Sequence, residues 1–136
     1  YDHGIMIPGN VSNEVSEATI SLFIAVVLFN LALTSHCQGT VFGRAKLLRK
    51  ASVLYKLVVK LLTTFTVLEN AATTILTLLA LNNKAQIHYD LCEYVESVDC
   101  MKDVSHIICS GSGLHSALSH EVIAGLLLTA MLTSTP

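Results

Sequence analysis

The sequence predicts an all-α fold: a compact bundle of five or six helices around one nearly all-apolar helix, stapled by disulfides. Three observations lead there. Both prolines, Pro8 and Pro136, lie outside the periodic segments, so nothing between them forbids long helices. Apolar residues recur at helical spacing along most of the chain, and no stretch shows the period-two alternation of a half-buried strand between turn residues. Charge is scarce and blocked: residues 1–43 hold no Lys or Arg, while Arg44, Lys46, Arg49, Lys50, Lys56 and Lys60 cluster in one stretch. Asp90, Glu93, Glu96, Asp99 and Asp103 cluster in another, so each block reads as the solvated face of an amphipathic helix.

Taken in order, residues 1–12 form an extended N-terminal segment that carries the sequon Asn10-Val11-Ser12, with Asn10 a glycosylation candidate. The opening Tyr1-Asp2-His3-Gly4 reads as a processed mature end. Asn13, with Glu14 and Glu17 behind it, marks a helix start, because a capping side chain and first-turn acids oppose the positive end of the helix dipole. This first helix runs to about Ser35, apolar on nearly every side, and the Gln38-Gly39 region is expected to end it. A helix of that kind must be surrounded by protein or lipid. The second helix is expected from Gly43 or Arg44 to about Leu68, with a basic stripe opposite Leu47, Leu48, Leu54, Val58, Leu61, Leu62 and Phe65.

After Glu69-Asn70 a charge-free third helix should span Ala71–Leu81 and close at Asn82-Asn83. A fourth, acidic helix is predicted over residues 84–98 from the spacing of Ile87, Leu91, Tyr94, Val95 and Val98. A short helix follows around Met101–Cys109. Residues 110–114 then read as a flexible connection to a last helix from Ser116 or Ser119 to about Met131. The whole chain, 1–136, is expected to be a single domain.

Four cysteines, Cys37, Cys92, Cys100 and Cys109, form an even set without Cys-x-x-Cys, and two disulfides are expected, with the pairing left open. Together with the sequon, they point to a secreted protein. Chemistry is hard to find. The six histidines show no metal-ligand spacing, since His115 and His120 fall on different helical faces and no His-Glu-x-x-His occurs. Cys109-Ser110-Gly111-Ser112-Gly113 fails the nucleophile-elbow pattern, and Glu93 with Glu96 reads as an acidic face. The dibasic step Arg49-Lys50 needs no role beyond the basic stripe. No cofactor, no metal and no enzymatic activity are therefore expected.

Physical character carries the functional reading. The 136 residues are 52% hydrophobic and 13% charged, about half the charge of an ordinary soluble domain. That composition argues against intrinsic disorder, and a net charge of -2 argues against a basic nucleic-acid binder. Residues 18–43 carry no charge and are long enough for one membrane span, whereas Lys56 and Lys60 interrupt the second helix. The expectation is a secreted, non-enzymatic, membrane-active bundle of the cytolytic or pore-forming kind. In it Arg44, Lys46, Arg49, Lys50, Lys56 and Lys60 contact the membrane, after which Leu22, Phe23, Ile24, Val26, Val27, Leu28 and Phe29 insert. Two alternatives use the same apolar excess: a carrier of a fatty acid or sterol, and an oligomeric assembly or receptor-binding protein. The expected partners are accordingly membrane lipid or an apolar ligand, with homo-oligomerisation open and no nucleic acid.

Overall fold

The computed structural model describes residues 17–65, 71–110 and Gly125. Among them the chain is helical throughout, with four helices and no strand: α1 Glu17–Val41, α2 Ala45–Phe65, α3 Ala71–Asp90 and α4 Tyr94–Ser110. The expected all-α class is thus what folds, with four helices in these residues rather than five or six. Asn10, the segment 1–12, the Glu69-Asn70 break, residues 111–114 of the connection and the body of the last helix lie outside the described residues.

Two helix ends differ from the sequence reading for the same backbone reason. α1 does not stop at Gln38-Gly39. It continues to Val41, and Gly43 at φ +60° closes it with Gly43 N–H donating to the Thr40 carbonyl and Arg44 N–H to the Gly39 carbonyl. This paired closure satisfies the last orphan carbonyls and needs a left-handed residue, for which glycine carries no side-chain penalty. The same motif ends α3, but there Cys92 takes the left-handed position at φ +62°, with Cys92 N–H bonding the Tyr89 carbonyl and Glu93 N–H the His88 carbonyl. A cysteine does not announce such a turn. α3 therefore runs through Asn82-Asn83, where the Asn83 amide spends itself on the Tyr55 hydroxyl of α2 at 3.2 Å instead of competing for backbone. The helices expected over 84–98 and 101–109 are in fact the end of α3 and the single helix α4.

Gly39 has a packing role inside α1. A Cβ there would sit 2.8 Å from Leu48 Cδ2 and 3.0 Å from the Leu48 backbone nitrogen, so the glycine lets α1 and α2 close up beside their short turn. We expect Gly39→Ala to destabilise the fold by about 1–3 kcal/mol, since the backbone contact cannot move aside as a side chain would. Urea denaturation checks this, and a loss under about 0.5 kcal/mol would show that the turn simply opens.

α1 and α2 run antiparallel. Gly39 meets Leu48 near the turn, and Phe29 meets Tyr55 further along, with ring centroids 5.5 Å apart edge to face. One core region gathers Ala25 and Ala32 of α1, Leu48, Ala51, Tyr55, Val58 and Leu62 of α2, and Ala80 and Ile87 of α3. A second joins Leu78, Leu81 and Ala85 of α3 to Cys100, Met101, Val104 and Ile108 of α4. The Ser97 hydroxyl donates to the Ala85 carbonyl at 2.9 Å and ties α4 to α3. The helices thus pack chiefly in chain order, α1 on α2, α2 on α3 and α3 on α4.

Two expectations are corrected by this arrangement. Among the described residues the apolar helix is not central: α1 packs chiefly against α2 and leaves Ile20, Phe23 and Val27 exposed. Nor is the bundle disulfide-stapled, because Cys37, Cys92, Cys100 and Cys109 are all unpaired. Cys100 is turned into the α3–α4 core, while Cys37, Cys92 and Cys109 are exposed on α1, on the α3–α4 turn and at the end of α4. With them goes the support that disulfides lent to a secreted protein.

Candidate functional site

Two surfaces of the molecule have functional character, and they differ in chemistry. The first is the outer face of α1. Its buried residues are Ser21, Ala25, Ala32, Ser35 and Gly39, spaced by three, four and seven, which puts them on one stripe of the helix. Seven of its large residues point away: Ile20, Phe23, Ile24, Val26, Val27, Leu31 and Leu33 are exposed, Phe23 at 70% and Val27 at 51%. Both faces are apolar, so the helix sorts its residues by size rather than polarity. Small residues at a helix contact with large ones outside is the arrangement of helices whose surroundings are lipid.

Of the seven residues expected to insert, Phe23, Ile24, Val26 and Val27 lie on this outer face, while Leu22, Leu28 and Phe29 flank the seam and are half-buried against the core. α1 is long and apolar enough to cross a membrane by length and composition. The exposed face continues through Val41 and Phe42, exposed 74% and 65%, with the Arg44 guanidinium lying 5.6 Å from the Phe42 ring centroid.

Basic residues follow at once. Arg44, Ala45, Lys46, Leu47 and Lys50 line an open groove of about 600 Å³ with a largely apolar wall at the start of α2. Arg44 accepts the first helical bonds of α2 through its carbonyl, from Leu47 and Leu48 N–H. The positive end of the α2 dipole therefore adds to the charges of Arg44, Lys46 and Lys50. The remaining expected membrane contacts separate from these three. Lys56 and Lys60 are exposed further along α2, and Arg49 is engaged elsewhere, with its Nη1 on Glu93 at 2.6 Å.

That ion pair opens the second surface. Glu93, the residue just before α4, uses one carboxylate oxygen on Arg49 and the other on His88 Nδ1, at 2.7 Å. The opposite ring nitrogen, Nε2 of His88, lies 3.2 Å from the Ser52 hydroxyl of α2. A carboxylate on Nδ1 fixes the neutral ring with its proton there, which leaves Nε2 as the acceptor for the Ser52 hydroxyl. His88 and Glu93 are brought together by the left-handed turn at Cys92, which folds Glu93 back over the last turn of α3.

Ser52 and His88 face a shallow, open cavity of about 390 Å³ lined also by Val53, Lys56, Lys84, Glu96, Asp99, Cys100 and Asp103. Burial, the larger influence, raises the Cys100 thiol above its ordinary value, and a hydrogen bond from Lys84 opposes it. Sequence reasoning read Glu93 as an acidic surface and gave Ser52 and His88 no role. No signal in the chain joins them, because they are 36 and 5 residues apart and meet through tertiary packing. Among the described residues no group of three or more His, Cys, Asp or Glu is placed to hold a metal ion.

Hydrogen bonds from His88 and then Arg49 hold the Glu93 carboxyl below its ordinary value of 4.5. A carboxylate depressed in the folded state adds stability above its unfolded pKa, and that stability is lost as pH falls through the lower folded value. Glu93→Gln is therefore expected to lower stability at neutral pH and to flatten the acid limb of the stability curve below about pH 4.5, the two proteins converging as the parent carboxyl is protonated. Arg49, 64% exposed in its side chain, contributes less than about 1 kcal/mol to this. Chemical denaturation at stepped pH measures it, and identical acid limbs in both proteins would refute the contribution.

Compared with models of known families, with curated proteins and with solved structures, the chain matches none. Function is accordingly argued from the two surfaces.

Proposed function

We propose that the protein engages anionic membrane surfaces, with α1 lying in the plane of the membrane. The observation that carries this reading is the size-sorted α1, which turns its small residues onto α2 and its large apolar residues to the outside. A water-soluble helix has no reason to spend Phe23, Ile24 and Val27 on solvent while packing serines inward. Lipid acyl chains suit that face, and Arg44, Lys46 and Lys50 at its C-terminal end suit the phosphates above them.

The in-plane orientation follows from α2. Because the helices are antiparallel with Phe29 beside Tyr55, Lys56 sits level with the middle of α1. Standing the pair upright in a bilayer would bring Lys56 close to its centre and Lys60 near it, at about 2.5–3.5 kcal/mol each. Lying flat leaves both lysines free to remain in water. No unwrapping is required, in contrast to a bundle that must open before its apolar helix can insert. Cytolysis and secretion are finer readings that this geometry does not need.

Sedimentation with vesicles tests the proposal. The full chain is expected to bind vesicles containing phosphatidylserine, to bind phosphatidylcholine vesicles more weakly, and to lose part of the difference at high salt as the charges are screened. Absence of binding to both would overturn it, and a defined dimer that ignores lipid would favour the assembly reading.

A further inference from the structure

We propose that Ser52, His88 and Glu93 form an acyl-transfer centre that hydrolyses small, soluble carboxylic esters. The inference stands apart from membrane engagement, since α1 gives no residue to this cavity. Three side chains from α2, α3 and the α3–α4 turn stand in a directional chain: carboxylate to Nδ1 at 2.7 Å, Nε2 to hydroxyl at 3.2 Å. That order, nucleophile to base to orienting anion, lies within the reach that nucleophilic catalysis uses. Holding two helices together would need only one hydrogen bond between them. Here the imidazole is oriented at both nitrogens, its anion is fixed a second time by Arg49, and both Ser52 and His88 face the cavity.

In the reaction the Ser52 oxygen bonds to the ester carbonyl carbon as its proton passes to His88 Nε2. The carbon–oxygen bond to the alcohol then breaks, and the alcohol leaves with that proton. Water, deprotonated by His88, next attacks the acyl-serine. The carboxylic acid leaves and the Ser52 hydroxyl is restored, so the balance is ester plus water to acid plus alcohol. Glu93 is a positioning residue that holds the ring and stabilises the imidazolium. The Ser52 amide is committed inside α2, so the developing oxyanion would be met by the ammonium of Lys56 or Lys84, each one turn from Ser52 or His88 and lining the same cavity. The cavity walls also set the substrate class. With Lys56, Lys84, Glu96, Asp99 and Asp103 around it, a long acyl chain would strip water from charges it cannot pair, whereas a short ester leaves those charges solvated.

The test uses the full chain with a fluorophosphonate probe, p-nitrophenyl acetate and p-nitrophenyl palmitate. One adduct on Ser52 is expected, together with turnover of the acetate ester and not the palmitate. Ser52→Ala, which keeps α2 because alanine is the strongest helix former, should abolish the adduct and cut acetate hydrolysis at least about tenfold. Glu93→Gln should lower kcat for the acetate ester with KM little changed, and Glu93→Asp should restore part of it, because the carboxylate orients the ring without touching substrate. No adduct, an adduct elsewhere, or unchanged hydrolysis in a Ser52→Ala protein with native circular dichroism would overturn the proposal. Preference for palmitate would overturn the substrate class, and an unchanged kcat in Glu93→Gln the role of Glu93.

Discussion

Phe23→Glu with Val27→Glu is expected to abolish binding to phosphatidylserine vesicles while leaving the fold intact. Both side chains point outward, with exposures of 70% and 51%, and neither belongs to the buried seam of α1. The substitutions therefore remove no core contact and meet no unpaired group. On the membrane each exchanges an apolar side chain for a charge. The lost burial alone is worth about 1.5–3 kcal/mol for a fully inserted side chain. Partial insertion still gives about 3–4 kcal/mol for the pair, a drop of two to three orders of magnitude in partitioning. Repulsion of the new carboxylates from anionic headgroups acts in the same direction.

The control is equally informative. Lys60→Glu, on the exposed face of α2 away from the α1 end, should reduce binding far less than Lys46→Glu if α1 lies flat with the Arg44–Lys50 end at the headgroups. Equal binding of the double variant and the parent, measured by co-sedimentation, would remove α1 from the contact.

Tyr55→Ala is expected to have the largest effect on stability, a loss of about 3–5 kcal/mol. Tyr55 is fully buried at the meeting of three helices. Its ring packs edge to face on Phe29, with the His36 ring 6.1 Å away, and its hydroxyl accepts the Asn83 amide. Burial raises the phenol above its ordinary value of 10, so it stays neutral throughout the useful pH range. Truncation leaves a ring-sized void between α1 and α2 and strips Asn83 of its partner, which adds a desolvation cost to the cavity cost. Against a total stability of about 5–15 kcal/mol for a domain, this places the variant near unfolding. Tyr55→Phe, which deletes only the hydroxyl, should cost about 1 kcal/mol. Thermal or urea unfolding followed by circular dichroism separates the two, and similar losses in both would mean that the ring packing counts for little.

The legible and illegible parts of this protein divide by range. The all-α class and the positions of α1 and α2 follow from local spacing: a charge-free run after Glu17, a basic stripe from Arg44, and glycine at the turn. Boundaries were lost where a residue did something its type does not advertise. Asn82-Asn83 looks like a stop, but the bond from Asn83 to Tyr55 lets the helix pass through. Cys92 looks like half of a disulfide and is instead the left-handed residue that ends α3. The inward stripe of α1 was present as Ser21, Ala25, Ala32, Ser35 and Gly39, a pattern of size that hydropathy does not see. The second surface had no such signal, because Ser52 and His88 belong to different helices.

Local chemistry thus determined by itself that this chain is helical, where its charges gather, and that one helix is too apolar for ordinary exposure. Which side of that helix faces out was settled by tertiary packing, since close approach of two backbones selects small residues and expels large ones whatever their polarity. The same packing joined Ser52, His88 and Glu93, for a hydrogen-bonded chain across three elements depends on where the helices cross, and no local propensity encodes that.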